Sequence, residues 1–156
     1  MSDDTVKALE AEKKELMESL LYAKAELANL RRVMENEVRR SESAAVERIM
    51  RKLLPFYEDF ERVVRGLSAE SVNPTVYEAV IMLFKELENL LQSEGLEKMD
   101  VMGKEFNPFD HEAVEFIESS DVSVETVVEV VSPGYKLHNR ILKPPKVKVA
   151  KPYKPP

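Results

Sequence analysis

The sequence predicts an α+β chain with a long, coiled-coil-like paired helix first, a helical bundle next and a small all-β domain last. Three observations predict it. Between Asp4 and Leu67 the only glycine is Gly66 and the only proline is Pro55. A second apolar-periodic run opens at Asn73-Pro74 and closes at Gly95. Beyond Gly95 the chain turns to β-branched runs, of which Thr126-Val-Val-Glu-Val-Val131 is the strongest. The boundaries read as 1–53 for the long paired helix, 54–95 for a dimeric four-helix-bundle segment, 96–150 for the β-domain and 151–156 for a flexible tail.

The long helix starts on Asp3, Asp4 and Thr5, which offer capping oxygens and negative charge to the free N–H groups of its first turn. Leu9, Leu16, Leu20, Leu27, Leu30 and Met34 occupy a and d positions of a heptad, with Ala23 among them and Lys13 as a polar interruption. The heptad fades at Glu37 and Ser41, but an eleven-residue spacing continues through Leu16, Leu27, Val38, Ile49 and Phe60, and through Ala23, Met34, Ala45, Phe56 and Leu67. Such a repeat averages ~3.67 residues per turn and favours a straight or slightly right-handed pair. At ~1.5 Å per residue the helix extends roughly 95 Å. No turn signal precedes Pro55, so the stripe has nothing in its own chain to fold against. A second copy is the expected cover, with Leu9, Leu16, Leu20, Leu27, Leu30, Met34, Ile49, Phe56 and Phe60 at the dimer interface. Pro55 lacks a donor and clashes with the carbonyl of Arg51, so a kink or break is expected near Leu53 to Pro55.

Asn73 and Pro74 suit the N-cap and first position of the next helix. Its apolar face, from Val76 through Leu91 and widened by Ile81, Met82 and Phe84, is broader than a two-helix seam needs. Two helices per chain in a dimer make a four-helix bundle. Gly95 suits the left-handed position that ends a helix. Expected strands follow at Leu96–Val101, Ala113–Ile117, Thr126–Val131, Lys136–Leu142 and Val147–Val149. Ser132-Pro-Gly-Tyr135 suits a type II turn, and Lys143-Pro-Pro145 breaks the alternation after it.

Net charge is −6, with 33% charged and 44% hydrophobic residues. The acidic balance argues against nucleic-acid binding by the whole chain. No cysteine means no disulfide, thiolate metal site or cysteine nucleophile. The polar start does not resemble a signal peptide, and no apolar run approaches the ~20 residues that span a bilayer. A cytoplasmic protein without membrane contact is expected. Glu94 to Glu129 holds eleven acidic residues against Lys98 and Lys104, whereas Ser132 to Pro156 holds seven basic residues and no acidic one. Two readings follow: neighbouring strands neutralise each other, or a basic face awaits an acidic partner.

His111 stands between Asp110 and Glu112, but adjacent side chains on an extended segment point to opposite faces. His138 is the only other histidine. Neither a metal site nor a general base is expected, and there is no phosphate loop or nucleophile elbow. His111 is expected to bond backbone near the Pro108 turn. No enzyme activity and no cofactor are expected. Arg31, Arg32, Arg39 and Arg40 read as solvated ion pairs or as a partner surface.

Four segments carry a family resemblance: Ala28-Asn-Leu-Arg-Arg32; Leu53-Leu-Pro55 with Asp59 to Arg62; Phe106-Asn-Pro108 with His111-Glu-Ala113; and Gly134-Tyr-Lys-Leu137 with Arg140. Together they resemble GrpE, the nucleotide exchange factor of the DnaK chaperone, over about Ala23 to Ala150. The resemblance implies a homodimer whose β-domain inserts against the nucleotide-binding domain of a DnaK-type chaperone, opens its cleft and releases ADP. It implies chaperone contacts at Arg31, Arg40, Arg62, Phe106, Pro108, Val131, Arg140 and Val149. Phe106 and Val131 have a second reading as β-domain core. The poorly apolar seam between Met34 and Ala44 raises the expectation of temperature sensing by the long helices. The alternative is a coiled-coil scaffold whose β-domain docks cargo.

Overall fold

The computed structural model describes residues 2–153. It bears out the α+β layout: helix α1 (Asp3–Gly66), helix α2 (Pro74–Ser93), and strands β1 (Leu96–Lys98), β2 (Glu112–Ser119), β3 (Thr126–Ser132), β4 (Tyr135–Leu137), β5 (Arg140–Lys143) and β6 (Lys146–Pro152). The chain divides into two compact units, 1–48 and 49–156.

The first unit is helix throughout. Ser2 and Thr5 close its start, the Thr5 N–H donating to the Ser2 carbonyl at 3.0 Å. Lys7 bridges Asp3 at 2.9 Å. Every side chain from Ser2 to Ala44 is exposed, including the whole leucine stripe.

In the second unit α1 runs unbroken through Pro55 to Gly66, so of the expected kink or break near Leu53 to Pro55 the break does not occur. One lost donor and a ring clash cost about 3 kcal/mol. Pro55 lies on the exposed side of the helix, while Met50, Leu54 and Tyr57 are buried around it. Their burial holds the helix through the proline. Tyr57 stacks on Phe84 of α2 at 5.6 Å, and Phe60 meets the same ring edge-on at 5.4 Å. Tyr57 also donates to Glu88 at 3.1 Å and lies edge-on to Tyr135 of β4 at 6.1 Å. One aromatic group thus ties both helices to a strand.

Asn73 caps α2, its side-chain oxygen accepting from the Thr75 N–H at 2.9 Å. Gly95 ends it at φ 90, and a Cβ there would meet the His138 ring at 2.4 Å. Conformation and space both require glycine at this position.

The strands form two three-stranded sheets, β1-β4-β5 and β2-β6-β3. β6 is central in the second, parallel to β2 and antiparallel to β3. Val101, Val127, Val147 and Val149 are the buried core, with Met99, Phe106, Ala113 and Val130 packed on it. The single strand expected over Lys136–Leu142 is instead the hairpin β4–β5. It turns at His138 and Asn139, both at positive φ, as a two-residue hairpin turn requires. The type II turn is likewise corrected. Gly134 does not have the positive φ that such a turn needs. Pro133-Gly134 carries the chain from one sheet to the other, and a Cβ on Gly134 would lie 2.4 Å from the Pro145 ring. β1 is shorter than expected. β6 runs on to Pro152, so two residues assigned to the tail belong to the sheet. The rest of that tail, Lys154, Pro155 and Pro156, lies outside the described residues.

Acidic and basic strands meet as the neutralising reading expects. Lys148 lies between Glu129 at 3.0 Å and Glu115 at 3.7 Å, on the two strands flanking β6. The hydrogen bond and charge of Glu129 hold the Lys148 ammonium above its ordinary pKa. Lys151 pairs with Glu125 at 3.7 Å.

Candidate partner-binding surface

The last turns of α1 and the β3–β4 connection form a groove of about 280 Å³ lined by Glu58, Glu61, Arg62, Arg65, Val131, Ser132 and Pro133. Three polar tethers close its geometry. Arg51 donates to the Leu142 carbonyl at 2.5 Å. Lys143 bridges Glu58 at 2.6 Å, and Lys98 bridges Glu61 at 3.0 Å. Glu61 also accepts from Arg65 at 2.7 Å. Burial pushes the Glu61 carboxyl up, but Lys98 and Arg65 outweigh it and hold the pKa below the ordinary carboxylate value. A lowered folded pKa means that these pairs stabilise the fold above the unfolded value, and that their contribution is lost as pH falls. Burial, and then Glu88, raises the Tyr57 phenol, so it stays a neutral donor.

The groove brings together two residues expected to touch a partner, Arg62 and Val131. Arg62 is held by Asp59 at 2.8 Å. Val131 is 51% exposed, which favours its surface reading over the core one. Register shifts at Val127/Glu129 and Val130/Ser132 interrupt the β3–β6 pairing there. Val149, by contrast, is 0% exposed in central strand β6, its side chain packed in the β-domain core. Phe106 is half-buried against the core and meets the Phe116 ring edge-on at 5.9 Å. Pro108 is exposed, as is Arg140 at the start of β5, straight after the hairpin turn. Arg31 and Arg40 are exposed on the first unit, Arg40 lying 4.0 Å from Glu37.

Leu9, Leu16, Leu20, Leu27, Leu30 and Met34 leave half or more of their surface uncovered. In the second unit Ile49, Phe56 and Val63 repeat every seven residues on α1, and Val76, Leu83 and Leu90 do so on α2. All six are more than half exposed. Phe60, expected in the same seam, is partly covered within the chain by Phe84.

Sequence reasoning missed Arg65, Glu58 and Glu61 as groove residues. Arg65 stands three residues after Arg62, on the same helix face, which was the available signal. It also missed Phe109. The loop holding Phe109 is built on Asn107, whose N–H donates to His111 Nδ1 at 3.1 Å. The imidazole therefore bonds backbone beside Pro108, as expected. Burial lowers the His111 pKa, the Asp110 carboxylate opposes it and Lys136 adds to the lowering. The groove beside His111 also carries Glu97, Lys98, Asp100, Lys104 and Glu105. Neutral His111 supplies the acceptor, so the loop is fully held above the ordinary histidine pKa and loosens as pH falls through the lowered pKa of the folded state. The protection of the Asn107 amide against exchange, taken relative to the intrinsic rate at each pH, should fall on acidification in the wild type, and His111→Gln should reduce that pH dependence. A protection factor equally insensitive to pH in both would contradict this role.

Among the described residues no group of three or more His, Asp or Glu is placed to hold a metal ion. Among the described residues no helix is long and apolar enough to cross a membrane.

The GrpE family model matches residues 1–151. A "Protein GrpE" from Thermotoga sp. (strain RQ2) is 49% identical over 106 residues, 68% of this chain and 59% of the relative. The chain thus matches about three fifths of that relative's length. Proteins of the same name from Teredinibacter turnerae and Vibrio vulnificus are 35% and 37% identical over 147 and 146 residues. Those matches cover 94% and 92% of this chain, and 77% and 73% of the relatives.

Proposed function

The chain belongs to the GrpE family, and from that premise we propose that it is a homodimeric co-chaperone that accelerates ADP release from a DnaK-type chaperone. The observation that supports the reading is the groove that Arg62 of α1 and Val131 of β3 both line. A protein that forces two lobes apart must be stiff. The tethers from Arg51, Glu58 and Glu61, with the Tyr57–Tyr135 contact, fix the strands on the helices.

Exchange of this kind involves no covalent step. The protein binds the open, nucleotide-poor chaperone more tightly than the closed one, and the difference in affinity shifts the equilibrium. Arg31, Arg40, Arg62, Pro108, Val131 and Arg140 are the proposed contacts, with Phe106 supporting the Pro108 loop from the core. The second copy covers the leucine stripe of the first unit, and the two heptad rows of the second unit join it in a four-helix bundle. The thin apolar seam between Met34 and Ala44 opens before the bundle does, so heating lowers exchange before the β-domain unfolds.

Coupling is reciprocal, so ADP must weaken the complex. Calorimetric titration into nucleotide-free and ADP-saturated chaperone tests the proposal. Tight binding to the first and binding at least about ten-fold weaker to the second is expected. Equal affinity for both states would leave no free energy to drive release and would favour the scaffold alternative.

A further inference from the structure

We propose that Phe109 is an anchor that inserts into an apolar, basic-rimmed socket on the nucleotide-binding domain of the chaperone, an assignment that rests on the exchange-factor reading above. Phe109 is 93% exposed, and the next most exposed large apolar side chain among the described residues, Tyr22, is 70% exposed. Single exposed apolar residues are common on protein surfaces. Phe109 differs in how its backbone is held.

Its loop is fixed from every side by Asn107. The Phe109 N–H donates to Asn107 Oδ1 at 3.0 Å, and Asn107 Nδ2 donates to Asp110 at 3.0 Å. The Asp110 and His111 N–H groups both donate to the Asn107 carbonyl, at 3.1 and 2.8 Å. His111 accepts from the Asn107 N–H, and the Phe106 N–H ties the loop to the Glu125 carbonyl at 2.8 Å. Phe106, one step before the loop, packs inward against Phe116. Phe109 thus stands outward on a mount that needs little further ordering on binding. A large, rigid aromatic presented in this way has the properties of an interface hot spot.

Charge identifies the socket. Around the loop Glu105, Asp110 and Glu112 outnumber Lys136, because Lys98 and Lys104 in the same groove are paired with Glu61 and Asp100. Asp110 and Glu112 flank the anchor, with Glu105 just before the loop. An acidic collar around an apolar knob is complementary to an apolar pocket rimmed by Lys or Arg. The exposed Pro108 precedes the anchor and extends the same surface.

The test compares wild type, Phe109→Ser and Phe109→Leu in binding kinetics with the nucleotide-free chaperone and in release of a fluorescent ADP. Phe109→Ser should bind roughly ten-fold or more weakly, mainly through faster dissociation, and should release ADP more slowly at limiting concentration. Phe109→Leu should recover most of the affinity, because it keeps an apolar side chain. Glu112→Gln should slow association and flatten its salt dependence. Unchanged binding by Phe109→Ser beside an active wild type overturns the anchor and leaves the exchange-factor reading standing. A wild type that neither binds nor releases ADP overturns both. Loss of self-association in Phe109→Ser with chaperone binding intact also overturns it, assigning the residue to contacts between copies.

Discussion

Replacing Leu20 and Leu27 with Asp should unpair the helices of the first unit and weaken the dimer, leaving it held by the four-helix bundle of the second unit. Both side chains are half or more exposed in the single chain and belong to an apolar stripe that nothing in that chain covers. An isolated helix is marginal in water even when its sequence favours helix, because most helical stability comes from packing an apolar face. The first unit has no such packing within the chain, so in the proposed dimer its stability comes from pairing. The double variant places four carboxylates in a seam built for leucine. Each must stay solvated or be neutralised, at a cost on the order of several kcal/mol if buried. Sedimentation should show a dimer that dissociates at higher concentration than the wild type, and circular dichroism should lose much of the first unit's helical signal while the second unit stays folded. A double variant that dimerises as tightly as the wild type, with full helicity, would mean that the stripe is not the seam.

Arg140→Ala should slow ADP release from the chaperone by roughly ten-fold or more at limiting protein, since arginine at an interface centre is among the costliest residues to truncate. Arg140 opens β5 immediately after the tight turn at His138 and Asn139. The hairpin fixes where its side chain starts, and the Arg51 bond to the Leu142 carbonyl fixes the hairpin on α1. Dimerisation and the dichroism spectrum should not change. A variant with wild-type release rates would remove Arg140 from the contact surface, and one that unfolds would make it structural.

The helical half was legible because its signals are local. Asn73-Pro74 caps α2 and Gly95 ends it as their conformational preferences dictate. The unbroken passage through Pro55 was not legible, because it depends on Met50, Leu54 and Tyr57 being buried by other elements. The β4–β5 hairpin was hidden because its turn uses His138 and Asn139 rather than glycine, so Lys136 to Leu142 reads as one alternating strand. Val131 and Val149 are chemically identical and looked equally fit to touch a partner. Packing separates them, since Val149 joins Val127 and Val147 in the core whereas Val131, near the end of β3, is half exposed. Phe109 lay inside a recognised motif, but its outward direction is set by the hydrogen bonds around Asn107, which residue spacing does not reveal.

The most direct measurement is stopped-flow release of a fluorescent ADP from a DnaK-type chaperone, chased with excess ATP, with and without this protein. Release should accelerate with protein concentration and then saturate as the complex fills, at a rate well above the spontaneous one. A release rate independent of protein concentration, under conditions where binding to the nucleotide-free chaperone is demonstrated, would contradict the account.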